Sequence, residues 1–323
     1  MNRKYFLPLT VLSIFFLAIV AISLSKTSTT KTNLGSSMTV FSEMKEDQLY
    51  KEIEEYNGIH EILPIDAKLD PIWKAIPGYN GLSVDLEASY NKMKTSGKFD
   101  ETKIVFTEVS PKIHLDDLEP SPIYRGNLEK PMIALLINVA WGDEHIPGIL
   151  KTLNESSVKA TFFFDGSWVK KTPHLASMIY LEGHEIGNHA YSHPDLKLRT
   201  PDETRMELQK TNDVIQEALE LTPKWFAPPS GSFNQTTINV ANELKMKTIL
   251  WTVDTVDWRK PSTNEMVQRV VAAVENGSMI LMHPTKPTEE GLETMIDEIQ
   301  NKGFQLGTVS DLMSEKRLEN KNP

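Results

Sequence analysis

The sequence predicts an α/β protein in which a parallel sheet closes into a small barrel. From residue 132 onward, short apolar runs alternate with amphipathic stretches, a rhythm typical of parallel sheets covered by helices. About seven runs within about 190 residues favour a barrel over an open sheet. The runs are MIALLI, KATFFF, HEIGNHA, KWFAPP, KTILWTV, SMILMH and FQLGTV. A content of 40% hydrophobic and 24% charged residues indicates a globular chain.

The N-terminus predicts export. MNRK carries two positive charges, and the uncharged run that follows it has about the length of a bilayer-spanning helix. Residues 1–24 are therefore either an uncleaved membrane anchor or a signal peptide, with Ala21-Ile22-Ser23 as the cleavage site. Residues 25–39 are polar and rich in Ser and Thr, which predicts a flexible stalk. We expect an extracytoplasmic protein, either membrane-anchored or secreted.

Residues 40–125 predict a small α+β domain. EDQLYKEIEEY and SVDLEASYNKMKT have helical spacing, DPIWKAIPGYNG predicts a short helix after an Asp cap, and KIVFTEV predicts a strand. The Pro- and Gly-containing stretch from Leu118 to Pro131 separates this domain from the barrel, which we place at residues 126–316. Residues 317–323 form a polar tail.

Composition restricts the partners and the chemistry. A formal net charge of -10 disfavours nucleic acid, whose phosphates require clustered Lys and Arg, but is compatible with neutral glycans. Cysteine is absent, so the chain has no disulfide, no thiol nucleophile and no Cys ligand for zinc. Any bound metal must be held by His, Asp or Glu.

Five short motifs follow apolar runs and carry the residues with possible chemistry. His189 and His193 in GNHAYSH are four residues apart, a spacing that allows two imidazoles to share a metal. Asp257 in TVDTVDW and His283 in ILMHP each end a run. FAPPSG forms a rigid turn. The earliest motif, INVAWGD, ends its strand with the amide of Asn138 where a catalytic carboxylate is often found.

The order and spacing of these motifs resemble the polysaccharide deacetylases, carbohydrate esterase family 4, also called the NodB-homology domain. The resemblance covers about residues 130 to 315 and implies a distorted (β/α) barrel of about seven strands. It also implies metal-dependent hydrolysis of an N-acetyl amide on a sugar. In that family the metal, usually zinc, activates water, an Asp acts as general base, and a His oriented by a second Asp acts as general acid.

The resemblance assigns half of this machinery to matching residues. His189 and His193 match the metal ligands, His283 matches the general acid, and Asp257 matches its orienting carboxylate. The expected substrate contacts are Trp258, Pro229 and Trp141.

The residues that would form the other half of the catalytic machinery are substituted. Asn138 occupies the position of the general base, Val139 the position of the third metal ligand, and Ala227 the position of an Arg that pairs with the base. A carboxamide accepts no proton near pH 7, and two neutral imidazoles hold Zn²⁺ or another divalent ion only weakly. Asp143 and Asp195 are candidate substitute carboxylates.

Two functions follow from this pattern. One is a deacetylase of reduced activity on a bacterial cell-envelope glycan such as peptidoglycan or a chitin-like oligomer. The other is a catalytically silent glycan-binding or structural pseudo-deacetylase. The sequence leaves the choice between them open.

Overall fold

The computed structural model describes residues 47–318, which cluster into two compact units. Within that range, one unit comprises residues 47–61 and 83–107, and the other comprises residues 62–82 and 108–318. The predicted N-terminal anchor or signal helix and the stalk lie outside the described residues. Between residues 47 and 318, no helix combines the length and apolar character needed to cross a bilayer.

The smaller unit contains two of the predicted helices. They are α1 (Gln48–His60) and α2 (Leu86–Met93), and each begins after an aspartate whose carboxylate accepts a hydrogen bond from the first turn. Asp47 accepts from the Leu49 amide, and Asp85 accepts from the Ala88 amide. Such caps satisfy amides that have no partner within the helix. Both helix predictions are confirmed.

The predicted short helix at DPIWKAIPGYNG is wrong. Its residues instead complete an antiparallel hairpin of β1 (Lys68–Asp70) and β2 (Lys74–Ile76). The Asp70 carboxylate accepts from the Ile72 and Trp73 amides at 2.8 and 2.9 Å, which closes a turn. Lys74 then adopts a φ of 61°, which reverses the chain. An Asp followed by Pro caps a turn as readily as a helix.

Two further strands follow. They are β3 (Gly81–Val84) and β4 (Phe106–Val109). In each of these two strands the chain crosses from one compact unit to the other. The strand predicted at KIVFTEV is confirmed in its C-terminal half.

The parallel sheet of the larger unit contains a strand from every predicted apolar run. One run, KTILWTV, contributes to two strands, β9 and β10. The strands are β5 (Met132–Val139), β6 (Thr161–Phe164), β7 (Glu185–Asn188), β8 (Trp225–Phe226), β9 (Lys247–Thr248), β10 (Val253–Asp254), β11 (Met279–Met282) and β12 (Gln305–Gly307). Helices follow most of them: α3 (Ile146–Glu155), α4 (Gly166–Lys171), α5 (Pro173–Leu181), α6 (Pro201–Leu219), α7 (Gln235–Glu243), α8 (Thr263–Ala273), α9 (Lys286–Asn301) and α10 (Val309–Met313).

The strand order is β10-β11-β5-β6-β7-β8-β9, all parallel, with β12 pairing alongside β5. In the described part of the chain no ladder joins β9 to β10, so the curled sheet is an incomplete barrel. The predicted parallel α/β architecture is confirmed, and its distortion lies at this opening.

Strand β5 has two apolar faces, and they determine where the site lies. Ile137 and Val139 pack in the cluster shared with residues of helices α3, α8 and α9. Ala134 and Leu136 pack in a second cluster, on the opposite face of the strand. Successive side chains of a strand alternate between faces. Asn138 therefore faces the side of Ala134 and Leu136, whereas Val139 faces the helices.

Candidate functional site

A cavity of about 390 Å³ opens at the carboxyl ends of the parallel strands. It brings together six of the residues predicted from the sequence: Asn138, Trp141, His189, His193, Trp258 and His283. The remaining lining residues are Ala140, Ser230, Trp251, Asp254 and Leu281. This is the edge of an α/β sheet where ligands commonly bind.

His283 and Asp257 form a closely bonded pair. His283 Nδ1 lies 2.8 Å from Asp257 Oδ1, and the His283 amide donates to Asp257 Oδ2 at 2.6 Å. Because the ionised carboxylate only accepts, Nδ1 carries a proton, and Nε2 is the nitrogen left for a ligand. Asp257 itself is fully buried, behind His283.

Hydrogen bonds keep Asp257 ionised despite its burial. Burial alone raises the pKa of this carboxyl, but donation from His283 and Thr288 outweighs it, and the net pKa lies below the ordinary value. The Thr288 hydroxyl donates to Oδ2 at 2.7 Å. The geometry is that of a general acid with its orienting carboxylate.

His189 is held as a neutral imidazole. Its Nδ1 lies 2.7 Å from the Ala227 carbonyl oxygen, which can only accept, so Nδ1 is protonated and the Nε2 lone pair is free. Burial lowers the pKa of His189 to about 3, with the neighbouring His193 adding to the effect. The rings of His189 and His193 lie 5.2 Å apart between centroids. A neutral imidazole oriented by a backbone carbonyl is typical of a metal ligand.

The loop between the two histidines is held in an uncommon backbone conformation. Ala190 and His193 adopt φ values of 59° and 54°, which non-glycine residues rarely do. Glu207, on α6, fixes this loop: its Oε2 accepts from the Tyr191 and Ser192 amides at 3.0 and 2.8 Å, and its Oε1 accepts from the Ser192 hydroxyl at 2.9 Å.

Asn138 is buried with an unsatisfied acceptor. Its side chain is only 4% exposed, and its Oδ1 accepts no hydrogen bond from the residues that the structure describes. An unpartnered buried oxygen is costly to maintain and often indicates a ligand or water. By contrast, Val139 is fully buried in the helix-facing cluster and Pro229 is buried outside the lining, so neither reaches the cavity.

The candidate substitute carboxylates are occupied elsewhere. Asp143 Oδ1 accepts from the indole nitrogen of Trp168 at 2.6 Å, and Asp195 accepts from the Lys197 amide and the Ser232 hydroxyl. Neither residue lines the cavity. Among residues 47–318 no three His, Cys, Asp or Glu side chains are grouped so that they could hold a metal ion. The donors present are two imidazoles and an amide oxygen, a set that fits a weakly held divalent ion.

Sequence reasoning missed several contributors. Trp251 and Ser230 line the cavity, and Thr288 and Glu207 support it from behind. Trp251 falls in the run KTILWTV, where an interruption between two strands was not visible. The supporting residues lie on helices whose sequences look like ordinary capped, amphipathic segments, so no local pattern indicates their role.

The fold and the site together define a deacetylase-type barrel. The sequence signature of the family described as "Polysaccharide deacetylase" matches residues 125–249. The chain is 32% identical over 194 residues to a peptidoglycan-N-acetylglucosamine deacetylase of Bacillus cereus, covering 58% of this chain and 70% of the relative. It is 50% identical over 280 residues to the uncharacterized protein YlxY of Bacillus subtilis, covering 87% and 88% of the two chains.

A solved structure shares both the fold and most of the length. Wild-type BA3943, a CE4 family pseudoenzyme from Bacillus anthracis, superposes with a TM-score of 0.78 at 48% identity, over 85% of this chain and 98% of that one. A mutant of BA3943 with restored enzymatic activity superposes equally well. The chain belongs to the polysaccharide deacetylase family, carbohydrate esterase family 4.

Proposed function

We propose that this protein is a pseudo-deacetylase that binds an N-acetylated glycan of the bacterial cell envelope and cleaves it slowly or not at all. One observation carries the proposal: the acid half of the site, His283 with Asp257, is fully bonded, whereas the base position holds the unpartnered amide of Asn138. The relationship to peptidoglycan deacetylases and to a CE4 pseudoenzyme supports both parts.

The residues of the cavity suit an acetamide group. Asn138 Oδ1 is an acceptor for an acetamide N–H, and satisfying it offsets the cost of its burial. His283 Nε2, the ring nitrogen that Asp257 leaves unbonded, can form a hydrogen bond with a polar atom of the ligand. The tryptophans Trp141 and Trp258 offer exposed ring surface, 47% and 49% exposed, for the apolar face of a sugar. His189 and His193 would hold a divalent ion, which polarises a carbonyl when bound.

Of these two outcomes, slow hydrolysis is favoured by the intact acid pair. General-base assistance contributes about 10²–10⁴-fold, so its loss slows deacetylation without removing the other contributions. Slow hydrolysis and silent binding differ in one measurable quantity, the release of acetate by protein loaded with a divalent metal.

Replacement of Asn138 by Asp tests the proposal. A carboxylate at this position faces the cavity and can accept a proton, so we expect Asn138→Asp to raise acetate release from chitin oligomers or peptidoglycan at least about tenfold. It should also tighten Zn²⁺ binding, measured by calorimetry, because it adds an anionic donor beside two neutral imidazoles.

Two controls accompany this variant. Asn138→Ala removes the amide without adding a base, so it should weaken glycan binding and release no additional acetate. Adding His283→Ala to Asn138→Asp should abolish the gain. Rapid acetate release by the unmodified protein, or failure of the unmodified protein to bind any N-acetylated oligomer, contradicts the proposal.

A further inference from the structure

A second cavity adjoins the candidate site. Its volume is about 790 Å³, and its lining comes from the loops after β5, β10 and β11 and from the start of α9. It shares Trp141 and Trp258 with the first cavity. Its lining carries two carboxylates and two ammonium groups, so neither sign of charge predominates there. These groups belong to Glu144, Glu290, Lys260 and Lys286.

The first cavity has a different charge balance, because its lining carries one carboxylate, that of Asp254. Among the residues that the structure describes, no Lys or Arg lines this cavity and no ion pair involves Asp254. The Arg259 guanidinium lies 4.7 Å from the centre of a Trp258 ring but lines neither cavity. Burial keeps the His189 imidazole neutral by lowering its pKa to about 3. The Asp254 carboxylate therefore has no lysine or arginine within the lining to balance it.

Strand β10 directs the Asp254 side chain into the cavity. Its neighbour Val253 packs in the cluster that faces the helices, so Asp254 faces the opposite side of the sheet. Asp254 is paired in register with Leu281 of β11, which also lines the cavity. Because β11 lies between β10 and β5, about two strand spacings, or roughly 10 Å, separate the strands that carry Asp254 and Asn138. The two polar side chains therefore face different parts of a ligand.

One oxygen of the Asp254 carboxylate is fixed and the other is free. Oδ1 accepts from the Val256 amide at 2.7 Å, whereas Oδ2 accepts no hydrogen bond from any residue between 47 and 318. Val256 adopts a φ of 50°, which a β-branched residue rarely does. Strained backbone of this kind persists only where the surrounding structure holds it. The half-buried carboxylate is thus held in place with one acceptor open to a ligand.

Aromatic rings surround this carboxylate within the same cavity. Trp141, Trp251 and Trp258 all line it. The Trp141 ring lies parallel to the His283 ring, at 7° and 6.0 Å between centroids, which restricts its motion. The face of a tryptophan ring attracts both the apolar face of a sugar and a positive charge. An unbalanced carboxylate among such rings therefore suits a sugar that carries a positive charge.

We propose that Asp254 binds the ammonium group of a hexosamine from which the acetyl group has been removed. A free sugar amine carries a positive charge and three N–H donors when protonated, whereas an N-acetyl group is neutral. Asn138, two strands away, stays available to the N-acetyl group of another sugar. The ligand class is then a partially de-N-acetylated glycan, the product of an amide hydrolysis that releases acetate.

This inference rests on the proposed function, because it takes the first cavity as the glycan site. It goes further in one respect: the protein recognises a glycan on which a deacetylase has already acted. Binding of that kind needs the carboxylate of Asp254 and does not need a general base at Asn138.

Calorimetry with two tetrasaccharides tests the assignment. One is tetra-N-acetylchitotetraose, and the other is the same oligomer with one acetyl group removed, in a buffer that keeps its amine protonated. We expect the oligomer with the free amine to bind about three- to tenfold more tightly, the range of one ion pair with an aromatic contact. A short peptide with one lysine and blocked termini carries the same ammonium group without a sugar and should bind more weakly than either oligomer.

The variant Asp254→Asn should bring the affinities for the two tetrasaccharides together. Its amide oxygen can still accept from the Val256 amide, so the turn is retained while the charge is lost. Glu144→Gln is the matched control, because it removes the same charge from the lining of the second cavity, and the preference should persist.

Two series on the unmodified protein test the same pairing without a substitution. Raising the salt concentration should reduce the preference for the free amine. Raising the pH until the sugar amine is neutral should abolish it, because the carboxylate then has no cation to pair with.

The outcomes separate the two proposals. If neither tetrasaccharide binds, the proposed function fails. If both bind alike, if Glu144→Gln removes the preference as fully as Asp254→Asn, or if the lysine peptide binds most tightly, the assignment of Asp254 to a sugar amine fails. In those three cases the binding of an N-acetylated oligomer still supports the proposed function.

Discussion

Asn138 and Val139 are neighbours in sequence but lie on opposite faces of β5. Asn138 reaches the cavity, and Val139 is buried among apolar side chains that face the helices. The resemblance assigns a catalytic carboxylate to each position, yet only one of them can deliver a carboxylate to the cavity from this backbone. Ala227 differs from Val139, because its side chain, 1% exposed, packs in the cluster that contains Ala134 and Leu136, on the side of β5 that Asn138 faces. Of the three substituted positions, Val139 is therefore the one where a restored carboxylate would point away from the cavity.

We expect Val139→Asp to destabilise the fold by about 3–5 kcal/mol, because it buries an unpaired charge among apolar groups. Asn138→Asp places the same carboxylate on the cavity side and should cost at least about 2 kcal/mol less. Urea unfolding of the two variants measures the difference. Equal losses of unfolding free energy in the two variants would contradict the idea that the side of β5 a residue faces determines the cost of an aspartate there.

His184 gives the protein a dependence of stability on pH that is unrelated to the candidate site. It is buried at the start of β7, its Nδ1 accepts from the Ala160 amide at 3.2 Å, and burial lowers its pKa from 6.5 to about 4. The unfolded chain takes up this proton near pH 6.5, whereas the folded chain does not until near pH 4. The part of the unfolding free energy that depends on neutral His184 is therefore fully present above pH 6.5 and is lost as the pH falls toward 4.

His184→Asn should flatten that dependence. An asparagine Oδ1 can replace the Nδ1 acceptor but does not titrate. Between pH 7.5 and pH 4.5 we expect the unmodified protein to lose about 2–3 kcal/mol more of unfolding free energy than the variant. Other buried groups, including His189, contribute equally to both proteins and cancel. Parallel pH profiles would contradict the assignment.

At the scale of secondary-structure elements, α6 supports the histidine loop. Asn188, the last residue of β7, donates to the Leu208 carbonyl and to Asn212 on this helix. Glu207, one residue before Leu208, accepts from the amides that follow His189. The end of β7 and the loop after it are thus both bonded to one turn of α6. The helix therefore supports the segment that carries the two imidazoles.

Removal of the Glu207 carboxylate should loosen this loop. In Glu207→Ala we expect amide hydrogen exchange at Tyr191 and Ser192 to accelerate at least about tenfold, since hydrogen bonds to a charged group are worth about 1.5–3 kcal/mol. Glu207→Gln retains an acceptor and should show a smaller change. Glu217→Ala, on the exposed side of the same helix, is the matched control and should leave both amides unchanged.

At the scale of the whole molecule, the sequence was sufficient to predict the parallel architecture and the five loops that meet at its edge. Regular alternation of apolar runs and amphipathic helices carries that information. The side of the sheet that each residue of β5 faces could not be predicted, because the strand is apolar on both sides except at Asn138, next to its end. Alternation identifies a face only where one side of the strand is polar.

The turn at Asp70 and the second cavity could not be predicted for a different reason: both depend on contacts between separate segments of the chain. The turn at Asp70 and a helix N-terminus use the same residue types, so the choice depended on the strand pairing of β1 with β2. The second cavity requires three loops, distant in sequence, to meet around Trp141 and Trp258. Long-range contacts of this kind leave no signal in a single sequence.

The orientation of Asn138 also bears on the history of the site. Codons for asparagine and aspartate differ by one base, and this position can accept either side chain without repacking the apolar clusters. Under the proposed function, loss of the base is a change that leaves the scaffold intact, and a single point mutation can reverse it. A single base change also converts valine to aspartate, but at Val139 the new carboxylate would be buried among apolar side chains. Under the proposed function, activity at this site stays within reach of selection for as long as His283 and Asp257 are retained.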